Sequence, residues 1–457
     1  MLLAIDRVLL HERTGAAALS SLAAAGRKPL DPARVFAMID HIVDTKPGRT
    51  DATTMAGGTA FIRETRAACA AAGIRLFDVD DPNQGIMHVV SPELGIVQPG
   101  MTLVAPDSHT CTQGAIGAYA FGVGTSEVEH AIATGTLRLT RPASMRVWVE
   151  GLLGPMVTPK DLALHLISRH GSDGGRGAAV EFAGPGVEAL SVEGRMTLCN
   201  MATEFSATAG FIAPDEPLFD WLHGRPFTPA GALWDQALAH WRTLRTDERA
   251  TFDREVRLDA SQVQPMVSWG TSPSASTGIA QPVPADAPRA MLDYMALDPG
   301  RPLEGLAIDA AFIGSCTNAR LSDLARAADL LRGRRIAPHV QGIVVPGSME
   351  VRRQAEALGL DRIFTEAGFE WRLSGCSLCF YAGGEGFAPG TRVISSTNRN
   401  FVGRQGPGVR THIASPETVA ASALAGCIAD PRTTSPSSLA GEGRLAHSAS
   451  GEKGRAN

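Results

Sequence analysis

The chain has 457 residues, 44% of them hydrophobic and 19% charged, with a net charge of −5. That length exceeds one ordinary hydrophobic core and predicts two or three domains of a globular protein. The acidic balance excludes nucleic acid and anionic membrane as electrostatically favoured partners. No apolar run approaches the ~18 residues needed to span a bilayer, and Asp6 and Arg7 interrupt the N-terminus before a signal-type core develops, so a cytoplasmic location is expected.

In chain order, "GMTLVAPDSHT" reads as a strand, Met101 to Ala105, entering a polar loop. "GTSEVEHAIATGTLRL" then reads as a helix capped by Thr125 or Ser126. "SMRVWVEG" opens a second block of strands and helices. It closes in the Ser/Pro/Gly-rich stretch 268–288, whose composition predicts a linker or long surface loop. The strand "LAIDAAFIGS", the amphipathic helix "RLSDLARAADLLRGRR" and the strands "VQGIVVPGS" and "TRVISS" form a third block. Strands alternating with helices predict α/β architecture with mostly parallel sheets. Beyond about residue 432 the apolar content falls and disorder is expected. No internal repeat at a fixed period is evident.

Seven cysteines, an odd and sparse set, argue for reduced thiols rather than a disulfide framework. Cys69 and Cys427 lie in alanine-rich helical patterns and read as small buried residues. Cys111 and Cys199 sit inside polar motifs without any requirement to ligate. Cys316 ends an apolar strand in "FIGSCTNAR", and Cys376 and Cys379 form a C-x-x-C in "GCSLC", which follows the helical-looking "DRIFTEAGFEWRLSG". By itself the pair is compatible with redox, structural or ligand roles. A structural zinc site would want a second pair, and none exists. Three thiolates in strand-end loops suit a [4Fe–4S] cluster with one iron lacking a protein ligand, a Lewis acid able to bind substrate oxygens.

Long motifs across residues 5–432 resemble the aconitase superfamily, and within it the isopropylmalate-isomerising branch. They include "VFAMIDHIV", "GIMHVVSPELGIVQPGMTLVAPDSHT", "LSVEGRMTLCNMATE", "FIGSCTNARLSDL", "IFTEAGFEWRLSGCSLC" and "STNRNFVGRQGPGVRTH". The resemblance implies three aconitase-type α/β domains around a central cluster, at 1–142, 143–285 with the linker at its end, and 286–432, followed by a disordered tail at 433–457. Cys316, Cys376 and Cys379 match the cluster ligands. Asp40, His41, His88, Asp107, His109 and Glu204 match catalytic acid and base groups. Ser108, Asn200, Arg399 and Arg404 match substrate-holding residues, and Asn318 and Asn398 match groups near the cofactor. Asn200 and Glu204, four apart, are expected on one helical face.

The family's swivelling domain, with its Ser-Ser-Arg loop, is missing: "ISSTNRN" has Ser395 and Ser396 but no arginine directly after them. A separate small subunit carrying that domain and the catalytic serine loop is therefore expected as partner. The implied activity is that of a hydro-lyase isomerising a substituted malate by dehydration and rehydration. 2-Isopropylmalate to 3-isopropylmalate, in leucine biosynthesis, leads, with 2-methylmalate, homoaconitate and other substituted malates as alternatives. A cluster-sensing RNA-binding regulator is the alternative of another class. The run "FYAGGEG" after Cys379 departs from the family, as does Gly135 in "ATGTL".

Overall fold

The computed structural model describes residues 1–434. Its first sheet is parallel, in the spatial order Arg75–Phe77, Val35–Met38, Arg7–His11, Thr102–Ala105, Tyr119–Gly122. The third block builds a parallel sheet in the order Phe369–Trp371, Gln341–Val344, Ala310–Ile313, Arg392–Ser395, Arg410–Ile413. Numbered along the chain, both sheets run 3-2-1-4-5. The same winding thus occurs twice, although no repeat is visible in the residues. Between these two sheets in sequence lies a four-stranded parallel sheet, Ala209–Phe211, Ala179–Ala183, Ser144–Glu150, Arg254–Asp259.

The strands are short, apolar and buried because helices cover them. In Ala310–Ile313 all four residues are buried, as parallel strands packed on both faces require. Helix Leu321–Leu331 buries Leu324, Ala327, Ala328, Leu330 and Leu331 against this sheet, the face that its 3.6-residue spacing prescribes. Helix Pro159–His170 starts from Thr158, whose hydroxyl accepts from Asp161 N, with Pro159 at the first helical position.

Several local expectations are corrected. The helix expected from Thr125 spans Thr125–Thr134 but is preceded by Gly124, and Thr136–Arg138 forms a strand against Leu2–Ala4. Gly135 makes that turn at φ +65°, a left-handed value that costs a glycine little. The Ser/Pro/Gly-rich stretch does not run free. Met266–Ser268 and Ser276–Gly278 pair as a hairpin, and Trp269, Ala275, Ile279 and Val283 are buried. Turn residues there serve a hairpin packed on the core. Before the C-x-x-C, the helix stops at Ala367 and Phe369–Trp371 is an edge strand, because Gly368 ends it at φ +105°. Cys427 lies past its helix, which Gly426 terminates. The expected tail falls outside the described residues except for Thr433 and Thr434, which complete the short helix Pro431–Thr434. No helix among the described residues is long and apolar enough to cross a membrane.

Fully buried His412 joins two of these pieces. Its Nδ1 donates to Ser268 O (2.7 Å) while its Nε2 accepts from Arg392 (2.9 Å). Burial, then Arg392, push its pKa down to about 3. The folded value is depressed, so stability is full above the unfolded value near 6.5 and falls as pH drops toward 3, by about 1.4 kcal/mol per pH unit. Urea unfolding across that range should show a shallower acid slope in His412→Gln than in the parent.

Candidate active site

In a 3-2-1-4-5 sheet the chain switches direction between strands 1 and 4, and the crevice beyond their carboxyl ends is where ligands collect. In the first sheet those ends deliver His11, Glu12, Pro106 and Asp107. In the third they deliver Cys316 and the loop 396–399. Both crevices open on one cavity of about 290 Å³, lined among others by His11, Arg13, His41, Ile86, His88, Asp107, Ser108 and His109, and by Cys316, Cys376, Cys379, Phe380, Arg399 and Arg404. A larger cavity of about 400 Å³ lies on the middle sheet around Trp148 and Glu181, away from the cysteines.

The carboxylates and imidazoles at the cavity form one connected chain. Asp40 Oδ1 bonds His41 Nδ1 (2.7 Å), and Asp40 Oδ2 accepts from Met87 N (2.8 Å). His41 Nε2 reaches Asp107 Oδ2 (3.2 Å), while Asp107 Oδ1 takes His88 Nε2 (2.8 Å) and His109 N (2.7 Å). His109 Nε2 meets Glu204 Oε1 (3.0 Å), which also pairs with Arg399 (2.6 Å), and Arg399 donates to Ser108 Oγ (2.9 Å). Burial pushes the Asp107 carboxyl up, but His88, His109 and His41 together hold it well below the usual range. Glu204 shows the same contest, burial against His109 and Arg399, and ends lowered. For His41, burial works against the charge, and Asp40, Cys376 and Asp107 outweigh it and raise its pKa well above the usual value.

Asn200 and Glu204 both reach the site, although the α-helix stops at Asn200 and a 3₁₀ turn, Met201–Phe205, carries Glu204. Asn200 Nδ2 donates to Cys316 Sγ (3.1 Å), as Asn398 Nδ2 does (3.4 Å), and Arg404 donates to Cys379 Sγ (3.4 Å). Asn318 Nδ2 is held by Thr197 and Asp323, while its Oδ1 is buried without a partner two residues from Cys316.

The donor set suits an iron–sulfur cluster. All three cysteines are free and buried, and their sulfurs receive N–H donors of the kind that tune clusters. Ligand atoms of His11, His41 and Asp107, and of Asp40, His41 and Cys376, also lie within 4.8 Å of one another. Ser315 (φ +82°) and Ser377 (φ +47°) flank Cys316 and Cys376 in left-handed conformations, at a cost on the order of 1–3 kcal/mol each. His88 Nδ1 and Arg404 Nε are buried without a partner, two groups left for whatever binds.

Sequence reasoning missed His11, Arg13, Ile86 and Phe380 in the lining. The pair His11-Glu12 at a strand's carboxyl end was the available signal. The "FYAGGEG" run places Glu385 under the cluster loop. Its carboxylate accepts from Thr45 Oγ1 (3.0 Å), from Ser377 Oγ and from Arg372 (3.4 Å).

Among known proteins, the family described as Aconitase family (aconitate hydratase) matches residues 1–426. The 3-isopropylmalate dehydratase large subunit 1 of Bradyrhizobium diazoefficiens is 49% identical over 442 residues, covering 94% of this chain and 92% of that protein. The 3-isopropylmalate dehydratase large subunit of Roseiflexus castenholzii is 49% identical over 441 residues, covering 94% and 93%. The holo crystal structure of Thermococcus kodakaraensis aconitase X aligns at 14% identity and a TM-score of 0.46, over 87% of this chain and 84% of that one, a likeness too slight to carry an argument.

Asp107 holds two histidine rings and a backbone N–H. Asp107→Asn places an amide donor among those donors and is expected to lower unfolding stability by ~1–3 kcal/mol, measured by urea titration.

Proposed function

The chain belongs to the aconitase family, and from that premise we propose that it is the large subunit of a hydro-lyase that isomerises 2-isopropylmalate to 3-isopropylmalate in leucine biosynthesis. The observation that carries this reading is the meeting, in one cavity, of Cys316, Cys376 and Cys379 with His41, His88, His109 and Asp107 and with Arg399 and Arg404. The division into α/β domains at 1–142, 143–285 and 286–432 goes with it.

Membership of the family implies a [4Fe–4S] cluster, which Cys316, Cys376 and Cys379 would hold. Bound there with one iron free of protein ligands, it supplies a Lewis acid for the hydroxyl and a carboxylate of a malate. The chain's own residues do the rest. Arg399 and Arg404 offer forked donors to substrate carboxylates, and Ser108 adds a hydroxyl. His41, whose Nδ1 is fixed by Asp40 and whose Nε2 shares its proton with Asp107 at the cavity wall, is the imidazole placed to protonate the departing hydroxyl and to receive the proton when water returns. His88 and His109, both tied to Asp107, and Glu204, tied to His109, keep that proton within a hydrogen-bonded set. Asn200 and Asn398 donate to Cys316 Sγ and hold the ligand loop in place.

Removal of the carbon-bound proton needs a base from elsewhere, and the relatives' names, large subunit, point to a second chain. Tyr381, Phe401 and Val402 expose apolar surface beside Arg404, an area that a capping chain carrying the swivel domain and serine loop would cover. The RNA-binding alternative has only the family likeness behind it, against a net charge of −5.

Anaerobic reconstitution with a small-subunit partner, followed by assay on isopropylmalate, 2-methylmalate and homoaconitate, tests the reading. Activity is expected with isopropylmalate foremost, none from this chain alone, and loss of iron and of more than 10³-fold activity in Cys316→Ser. Full turnover by the isolated chain, or iron binding indifferent to Cys316, would sink it.

A further inference from the structure

Glu12 stands one residue past the strand Arg7–His11 and is completely buried. Its carboxylate accepts the backbone N–H groups of three consecutive residues, Asp40 (3.1 Å), His41 (2.7 Å) and Ile42. Register explains the reach. His11 lies beside Met38 in the parallel pair, so Glu12 stands level with the point where the neighbouring strand leaves the ladder. There its amides need new acceptors. Burial and the neighbouring Asp40 push the Glu12 pKa up to about 7, while His41 and the bonds to the amides work against that rise.

The same dipeptide grips the imidazole. The His11 ring stacks on His41 at 4.1 Å and 24°, and Phe380 meets His41 edge-on at 5.6 Å. His11 is itself held by Pro106 O (3.2 Å) and by Arg13 N (3.3 Å). The His41 backbone, ring face and ring edge are thus each fixed by a different residue, and Asp40 and Asp107 then set its two nitrogens.

We propose that Glu12 is a positioning residue for the reaction: by tying down the Asp40–Ile42 backbone it sets the His41 ring against His11, Asp40 and Asp107. It touches no cysteine itself, but Asp40 O, in the same peptide unit as the His41 N–H that Glu12 holds, accepts from Cys376 N (2.7 Å), so activity is compared per bound cluster. The inference rests on His41 handling the proton, as read above. A reacting group misplaced by about 1 Å loses on the order of 10²-fold in rate, which is the scale expected here.

The first test is nuclear magnetic resonance on the full cluster-free chain. In the parent, the His41 and Ile42 amide protons should lie far downfield and exchange slowly, and the His41 Nδ1 proton should show its bond to Asp40. Glu12→Gln keeps the shape and should shift these signals while those of the distant His412 stay. In the enzyme assembled with its partner chain, E12Q should lower kcat per bound cluster by about 10–100-fold with KM within about twofold, and Glu12→Asp should recover part of it. Ordinary, fast-exchanging amides in the parent would overturn the proposal whether or not E12Q folds. So would unchanged His41 signals in E12Q, or an activity loss that only follows the folded or cluster-loaded fraction. Shifted signals with an unchanged kcat would also overturn it, and would place the fault in the role given to His41 rather than in the clamp.

Discussion

The histidines at the cavity are gathered by one carboxylate. Asp107 leaves the fourth strand of the first sheet and gathers His41, His88 and the His109 amide, groups from three separate stretches of chain. A carboxylate accepts several donors in fixed directions, so it can hold histidines in a common geometry while remaining charged at low exposure. Without it, His41 and His88 would lose their shared acceptor, and the path to Glu204 and Arg399 would be cut.

That role follows from winding. In both 3-2-1-4-5 sheets the switch point leaves strand-end amides and carbonyls without ladder partners. Polar side chains fill the gap: Glu12 for residues 40–42, and Lys160, whose Nζ donates to Ser396 O (2.6 Å) and to Thr397 O, for the loop before Asn398. The functional side chains hang from loops braced in this way. Fully buried Lys160 and Glu12 are costly placements, and each supports backbone adjacent to a site residue.

Strain is placed in the same region. Ser315 and Ser377 adopt left-handed φ next to two of the three cysteines, and Glu385 secures Ser377 from beneath. The "FYAGGEG" run therefore has a mechanical side, since its glutamate anchors the Cys376 loop. It also has a chemical side, since Phe380 walls the cavity between Arg13 and Arg404, each 5.5 Å from its ring.

The sequence by itself determined the α/β class and marked the three cysteines and most of the polar side chains that line the cavity. Strand periodicity, chain order and long motifs are properties of neighbouring residues. Its errors were of a physical kind. The Ser/Pro/Gly stretch looked like a linker because turn residues punctuate hairpins and linkers alike. The contacts of Asn318 were illegible too, because its spacing from Cys316 says nothing about which way the turn points it. Only tertiary structure decided that the carboxyl ends of two sheets open on one cavity, that His11 and Glu12 brace a histidine some thirty residues away, and that Glu385 lies beneath the cysteine loop. Those contacts come from strand register and sheet order, which pair residues far apart in the chain and leave no local pattern to read.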